Sequence, residues 1–238
     1  MIERQKRTTQ KLHALLALAS AVSFSAGLPA SGAPNYLLQA QQCLDKKQYR
    51  KVIDYASRAI LTNPNNAQAY FVRGVARTEL DEAQKGLADL DRSMKLDPKV
   101  SPCLVHDMRA RCYILLEQHQ KARSELEKAN KIDPQGWRYR QVGEIDCQLG
   151  KQDQAMTSFT RAIETGPKDV WNYRARGDLL FRQKRYAQAL SDYNQAIKIV
   201  PKEPGPYGVR SKIYDKLGKK DLARKDLEKC NELSDFSF

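Results

Sequence analysis

Five prolines recur along this chain at an almost constant spacing, which constrains the fold more than any other feature of the sequence. Pro64, Pro98, Pro134, Pro167 and Pro201 follow one another at intervals of about 34 residues. A period of roughly 20–50 residues is typical of proteins built from repeated structural units. The sequence therefore predicts a stack of similar units rather than one globular core.

Two columns of small side chains keep a nearly fixed distance from these prolines. Two helices can cross closely only where neither carries a bulky side chain, so such columns predict paired helices. Between them, apolar residues follow one another at spacings of three and four, as in amphipathic helices. The residue before a proline is pushed out of the α region, so each proline predicts the end of a second helix. The first column holds Ala40, Gly74, Ala110, Gly143 and Gly177, and the second, shortly before the prolines, holds Ala59, Ser93, Ala129, Ala162 and Ala196.

Together these columns resemble the tetratricopeptide repeat, a helix-turn-helix unit of about 34 residues. The best match is formed by Tyr173, Gly177, Tyr186, Ala189, Tyr193, Ala196 and Pro201. The pattern is weakest in the second repeat, where Ser93 occupies the second column and Gly86 occupies a further small column that holds Ala189 in the best match. The resemblance implies an all-α fold, a right-handed α-solenoid of stacked antiparallel helix hairpins, forming one extended domain over residues 34–238. The expected repeats cover residues 34–66, 67–100, 103–135, 136–169, 170–203 and 204–238.

Residues 1–33 do not follow the repeat. A basic segment with Arg4, Lys6, Arg7 and Lys11 precedes a short apolar run, and small residues follow between Ser25 and Ala33. This order is typical of a signal peptide that is cleaved after export. The run is shorter than the ~20 apolar residues that cross a bilayer, which favours a cleaved leader. The alternative is a short membrane anchor formed by residues 12–28, which would hold the protein at an inner membrane.

The chain is strongly basic, with a formal net charge of +13, and most of this charge lies after the leader. A surface of this charge attracts acidic partners. Export to the periplasm, the cell envelope or the extracellular space would separate the protein from nucleic acid. The expected partners are therefore an acidic protein or peptide segment, or an anionic envelope or membrane surface. The alternative is that lysines and arginines merely solvate the convex face of the stack.

The sequence offers no motif for catalysis, a metal or a cofactor. It contains only three histidines, and no two of its five cysteines have the close spacing of zinc ligands. No phosphate-binding glycine loop or activated nucleophile is evident, and carboxylates such as Asp89, Asp91 and Asp97 are interpreted as a solvated helix face. A disulfide between Cys112 and Cys147 is conceivable. The sequence predicts a protein that is not an enzyme.

The resemblance also implies a binding face, because tetratricopeptide proteins usually hold a peptide or a partner's helix against the first helices of their repeats. Tryptophan and arginine are typical interface anchors, and two Trp-Arg pairs stand one repeat apart. Alternatively, Arg140 pairs with Glu144 and Arg174 with Asp178 along their own helices, and the tryptophans pack against the preceding turn. The predicted groove residues are Trp137, Arg140, Glu144, Trp171, Arg174, Asp178, Phe181, Phe71 and Arg111.

Two functions remain open at this point. The first is an exported interaction scaffold that binds a peptide segment or helix in its concave groove. The second is a structural or assembly component of a membrane-associated complex that uses the convex face or the repeat edges.

Overall fold

A computed structural model describes residues 35–235, and all regular secondary structure in this range is α-helical. The predicted all-α class with paired helices is confirmed. The predicted leader, residues 1–33, lies outside the described residues. The helices are α1 (Tyr36–Asp45), α2 (Tyr49–Thr62), α3 (Ala67–Glu79), α4 (Ala83–Leu96), α5 (Pro102–Leu115), α6 (His119–Ile132), α7 (Gly136–Gln148), α8 (Gln152–Thr165), α9 (Val170–Arg182), α10 (Tyr186–Ile199), α11 (Pro204–Lys216) and α12 (Lys220–Asp235).

The helices form two compact units, one that extends to Asp133 and contains α1–α6, and one that begins at Pro134 and contains α7–α12. Within each unit every helix packs against the next one along the chain. First helices of neighbouring hairpins also contact each other, as α1 and α3 do in the first unit and α7 and α9 in the second. Each unit is therefore a stack of three hairpins.

The glycines of the first small column make room for large side chains of the second helix. A Cβ atom on Gly143 would lie 2.5 Å from the ring of Phe159, and one on Gly177 would lie 2.9 Å from the ring of Tyr193. Both rings are buried. Since real Cβ atoms almost never approach so closely, each glycine and the ring of the following helix form one packing unit, which confirms the close crossing predicted from the sequence.

The weak pattern of the second repeat has a local cause. A Cβ atom on Gly86 would lie 2.7 Å from Thr78 Oγ1, which in turn contacts Cys112 Sγ at 3.1 Å. Ser93 Oγ donates a hydrogen bond of 2.9 Å to the carbonyl of Ala67. Gly86 and Ser93 thus replace the usual alanines without interrupting α4. Gly86 leaves room for Thr78, and the Ser93 hydroxyl has a hydrogen-bond acceptor within the unit.

All six turns between the two helices of a hairpin contain one residue in the left-handed region. These residues are Lys47 (φ 55°), Asp81 (φ 59°), Glu117 (φ 55°), Gly150 (φ 74°), Lys184 (φ 59°) and Gly218 (φ 72°). Only two of them are glycine, the residue that adopts this conformation without strain.

We expect Glu117→Gly to stabilise the protein by about 0.5–1 kcal/mol. The substitution removes the strain of a side chain in the left-handed region at residue 117. The free energy gained in this way exceeds the cost of the extra conformational entropy that glycine gives to the unfolded chain. Denaturant unfolding measures the effect. Gly150→Lys places a side chain on the left-handed residue of an equivalent turn and is expected to destabilise the protein by a similar amount. A change of unfolding free energy with the same sign in both variants would contradict the argument.

Buried arginine-carboxylate pairs, called here the arginine staples, join the two helices of four hairpins. The carboxylate follows the arginine at the same sequence separation in every staple. Arg176, for example, donates to both carboxylate oxygens of Asp192 at 2.8 and 2.9 Å, and also reaches Thr160 of the preceding hairpin at 3.3 Å. The staples are Arg73–Asp89, Arg109–Glu125, Arg176–Asp192 and Arg210–Asp226.

The staples correct the interpretation of Asp89 as part of a solvated face. Its exposed fraction is only 4%, and it accepts hydrogen bonds from both Arg73 and Arg77. Arg73 also donates to Ser57 of the preceding hairpin at 3.0 Å. A carboxylate is stable at this depth because both of its oxygens are paired.

The staple carboxylate Glu125 predicts a pH dependence of stability. Burial raises its pKa, but hydrogen bonds from His106 and Lys128 and the charge of Arg109 outweigh burial and lower the pKa from 4.5 to about 2. Because the folded state holds this carboxylate ionised, its contribution is complete above about pH 4.5 and is lost as the pH falls towards 2. We expect the unfolding free energy of Glu125→Gln to fall less steeply in this interval than that of the wild type. Parallel curves from denaturant titrations at several pH values would contradict this.

The cysteines are all free thiols in the structure, including Cys112 and Cys147, so the conceivable disulfide between these two is not formed. Among residues 35–235, no helix combines the length and the apolar character needed to span a bilayer. The same range contains no group of three or more potential metal ligands.

Candidate functional site

The predicted groove residues lie on the first helices of hairpins in both units. Phe71 is on α3 and Arg111 on α5 of the first unit. The others belong to the second unit, on α7 (Trp137, Arg140 and Glu144) and on α9 (Trp171, Arg174, Asp178 and Phe181).

Trp171 and Arg174 form a stacked pair near the start of α9. The helix begins where the carboxylate of Asp169 accepts a hydrogen bond of 3.2 Å from the Trp171 amide. One turn later, the Arg174 guanidinium carbon lies 4.2 Å from the centre of the Trp171 ring. Arg174 also forms an ion pair of 2.5 Å with Glu203, the residue that precedes α11. These contacts hold a half-buried aromatic ring beside a fixed cation, and we call Trp171, Arg174 and Glu203 the Trp171 platform.

Gly205 gives the arginine of this platform its space. It stands in the sequence column of the two tryptophans, one repeat after Trp171. A Cβ atom on Gly205 would lie 3.2 Å from Arg174 Nη2. The guanidinium therefore lies next to the start of α11. A larger side chain at residue 205 would push it out of this position.

Trp137 does not repeat this arrangement, although it occupies the same column one repeat before Trp171. Its exposed fraction is 6%, and its ring is stacked by Arg138 at 4.8 Å. Arg140 is 4% exposed and pairs with Glu144 at 3.3 Å, as the alternative of pairing along one helix predicts. Trp137 and Arg140 thus have little accessible surface with which to contact a partner directly.

Asp178 and Phe181 lie further along α9 and are partly exposed. Asp178 accepts a hydrogen bond from the hydroxyl of Tyr193, whereas the carboxylate that pairs with Arg174 is Glu203. Phe181 packs against Tyr186 with ring centres 5.6 Å apart. The face of α9 therefore presents aromatic surface at both ends with a carboxylate between them.

In the first unit, Phe71 is only 2% exposed, so it belongs to the core and not to a binding surface. Arg111 is partly exposed and forms an ion pair with Glu79 at the end of α3. Burial and the charge of Glu79 raise the pKa of the nearby Tyr49 to about 12, against the opposing charge of Arg111. Arg111 is thus available to an acidic group only in competition with Glu79.

Sequence reasoning missed Glu203, because it lies 29 residues from the arginine that it holds. It also missed the staples, although a signal was present. In three repeats an arginine directly precedes the first small column, and Arg210 stands at the equivalent position of the sixth repeat. An acidic residue follows each of these four arginines at a constant separation.

Comparison with known proteins identifies the repeat. Family models described as tetratricopeptide repeat match residues 105–135, 171–203 and 205–235. These segments coincide with the third, fifth and sixth hairpins, and the twelve described helices fit about six such units. The chain therefore contains tetratricopeptide repeats in these segments.

Its curated relatives are similar over only part of their length. The chain is 29% identical over 93 residues to aryl-hydrocarbon-interacting protein-like 1 of Mus musculus, covering 39% of this chain and 27% of that protein. It is 35% identical over 106 residues to anaphase-promoting complex subunit 3 of Schizosaccharomyces pombe, covering 44% of this chain and 16% of that protein. The similarity therefore spans about a quarter or less of the length of these relatives.

Solved structures share the fold at low sequence identity. The C-terminal part of a repeat-containing protein from Cytophaga hutchinsonii has a TM-score of 0.76 at 18% identity, with 83% of this chain and 78% of that chain covered. YrrB, described as a tetratricopeptide protein with an unusual peptide-binding site, has a TM-score of 0.61 at 20% identity, with 76% of this chain and 93% of that chain covered. At these identities the likeness supports the hairpin stack alone.

Proposed function

We propose that this protein is a non-enzymatic interaction scaffold that binds a peptide segment or a helix of a partner on the Trp171 platform. The observation that carries the proposal is the half-buried Trp171 ring, stacked by Arg174, which Glu203 holds in place. Rigid aromatic and arginine groups are typical binding hot spots, because little side-chain freedom is lost when a partner docks. The peptide-binding site described for YrrB, which has the same fold, supports a task of this kind.

The chemistry of the platform favours a partner with an acidic group beside an apolar or aromatic side chain. The ring offers a flat apolar surface, and the guanidinium offers donors that can clasp a carboxylate. Glu203 already uses one of these donors, so the acidic group of the partner either shares Arg174 or displaces Glu203. In either case binding weakens as the salt concentration rises.

Selection of a displayed random-peptide library on the full chain tests this proposal. The affinities of the selected peptides are then measured for wild type, Trp171→Ala and Arg174→Gln. We expect each substitution to weaken binding by tenfold or more, as for a hot spot of about 2 kcal/mol. The matched control Arg111→Gln changes an ion-paired arginine of the first unit and should leave affinity unchanged. Equal affinities for all four proteins would contradict the assignment of this site.

Export remains part of the proposal and rests on residues 1–33 alone. The basic segment, apolar run and small residues support a cleaved leader. The measurement is the N-terminal mass of the protein isolated from its native cell. A processed terminus between Ser25 and Ala33 supports export, and an intact terminus in a membrane fraction supports the anchor formed by residues 12–28.

A further inference from the structure

The turns within the three hairpins of the second unit carry a concentration of basic side chains. They lie around Gly150, Lys184 and Gly218, the left-handed residues of these turns. We call this set the basic turn edge. It consists of Lys151, Arg182, Lys184, Arg185, Lys216, Lys219 and Lys220.

Contacts within the unit place these turns at one edge of the stack. Gln183 donates a hydrogen bond of 3.0 Å to Gln152 across the first two turns, and Arg182 lies 3.7 Å from Cys147 Sγ. Ile213 packs in one cluster with residues that flank the second turn, including Tyr186, which brings the end of α11 to the same side. With helices about 10 Å apart, the three turns form a row about 20 Å long.

The basic side chains of the edge are not neutralised by neighbouring carboxylates. None of them forms an ion pair with another residue in the range 35–235, whereas the staple arginines are all paired. Arg185, for instance, donates to the side-chain amides of Gln183 and Gln188. Acidic residues beside these turns in the sequence include Asp153, Asp215 and Asp221, and Asp221 already pairs with Arg224 at 3.5 Å. Glu144 and Asp146 lie near Cys147, which Arg182 contacts. The edge is therefore a region of net positive charge.

Two exposed leucines flank the third turn. Leu217 is 38% exposed and Leu222 is 42% exposed, with Lys219 and Lys220 between them. Leu222 is unusual for its position, because the equivalent residues of the other five repeats are all polar: Lys51, Lys85, Lys121, Gln154 and Gln188. At this repeat position, a leucine therefore occurs only in the hairpin in which lysines also cluster.

We propose that the basic turn edge docks on an anionic lipid surface, with its lysines and arginines at the headgroups and Leu217 and Leu222 inserted among them. A row of flexible lysines provides diffuse charge rather than the fixed forks that recognise one carboxylate. Charge toward anionic headgroups combined with shallow apolar insertion is typical of proteins that bind a membrane at its surface. This inference concerns a surface other than the Trp171 platform and does not depend on peptide binding.

Sedimentation of the full chain with lipid vesicles tests this inference. The vesicles consist of phosphatidylcholine, either alone or with one third phosphatidylglycerol. We expect binding to the anionic vesicles only, and weaker binding at high salt. Each lysine at such a surface contributes about fivefold in affinity, so Lys219→Gln with Lys220→Gln should reduce binding about 25-fold.

Matched variants separate this edge from the general basic charge and from residues 1–33. Lys198→Gln with Lys202→Gln removes the same charge at the end of α10 and in its connection to α11, away from the basic turn edge. This pair should leave vesicle binding nearly unchanged. Leu222→Gln should weaken binding, whereas Leu227→Gln, on another side of α12 and 52% exposed, should not. Circular dichroism checks that all variants remain folded.

Three results would overturn the inference. One is an equal loss of vesicle binding in the two lysine pairs, and another is an equal effect, or none, of the two leucine substitutions. The third is binding of polyglutamate that depends on Lys219 and Lys220 while vesicles are not bound, which would assign the edge to an acidic polypeptide.

Discussion

Asp192→Ala is expected to destabilise the second unit by about 2–4 kcal/mol, because it removes the carboxylate from a staple and leaves Arg176 without its charge partner between two hairpins. Asp192 is only 3% exposed and accepts two hydrogen bonds from Arg176. Chemical denaturation gives the magnitude. Hydrogen exchange should locate the loss in α9 and α10, since repeat proteins are stabilised mainly by contacts within and between neighbouring units.

An exposed ion pair of the same chemical type provides the control. Asp54 and Arg58 are 3.1 Å apart on α2, and both side chains are more than half exposed. We expect Asp54→Ala to cost no more than about 0.5 kcal/mol. The double variant Arg176→Met with Asp192→Leu should recover most of the stability lost in Asp192→Ala, because apolar side chains can replace a buried ion pair. Equal costs for Asp54→Ala and Asp192→Ala would contradict a structural role for the staples.

Trp137→Ala is expected to cost about 3–5 kcal/mol of unfolding free energy, as for other buried aromatic side chains. Trp171→Ala should cost only about 1–2 kcal/mol, because the ring is partly exposed and loses a stacked cation. Thermal and denaturant unfolding of the two variants compare the same substitution at equivalent repeat positions. A larger loss at Trp171 would contradict the burial that distinguishes the two residues.

The helix hairpins could be predicted from the sequence because their packing depends on local columns of small residues. Gly143 and Gly177 mark positions where a ring of the following helix fills the crossing, so the regular spacing alone indicates the geometry. The prolines predict the ends of second helices for a similar reason, since proline acts on the residue directly before it. The same periodicity predicts Trp171 and Arg174 on one face of α9.

The partners of long polar side chains could not be predicted in this way. Helical periodicity gives the face of a residue but not the atom that its flexible side chain reaches, so it pairs Arg174 with Asp178, whereas the structure pairs it with Glu203. The charge of Asp89 suggests a solvated side chain, whereas two arginines compensate its burial. Trp137 and Trp171 occupy the same column but differ in burial, because burial depends on neighbouring helices rather than on the column itself.

The two proposed surfaces of the second unit are chemically distinct and can be tested independently. The Trp171 platform combines one aromatic ring with a fixed guanidinium, whereas the basic turn edge combines several cations with exposed leucines. Use of both would allow the protein to hold a polypeptide while docked on an anionic surface. Loss of one activity in its own variants should leave the other unchanged.

The most direct test of the central proposal is a fluorescence titration with Trp137→Phe, which leaves Trp171 as the only tryptophan of the chain. The variant is titrated with a peptide selected on the wild-type protein. We predict a saturable change in Trp171 emission that follows the binding curve measured independently by calorimetry, and its loss in the additional variant Arg174→Gln. Saturable binding in calorimetry without any change in Trp171 emission would contradict the assignment of the Trp171 platform as the binding site.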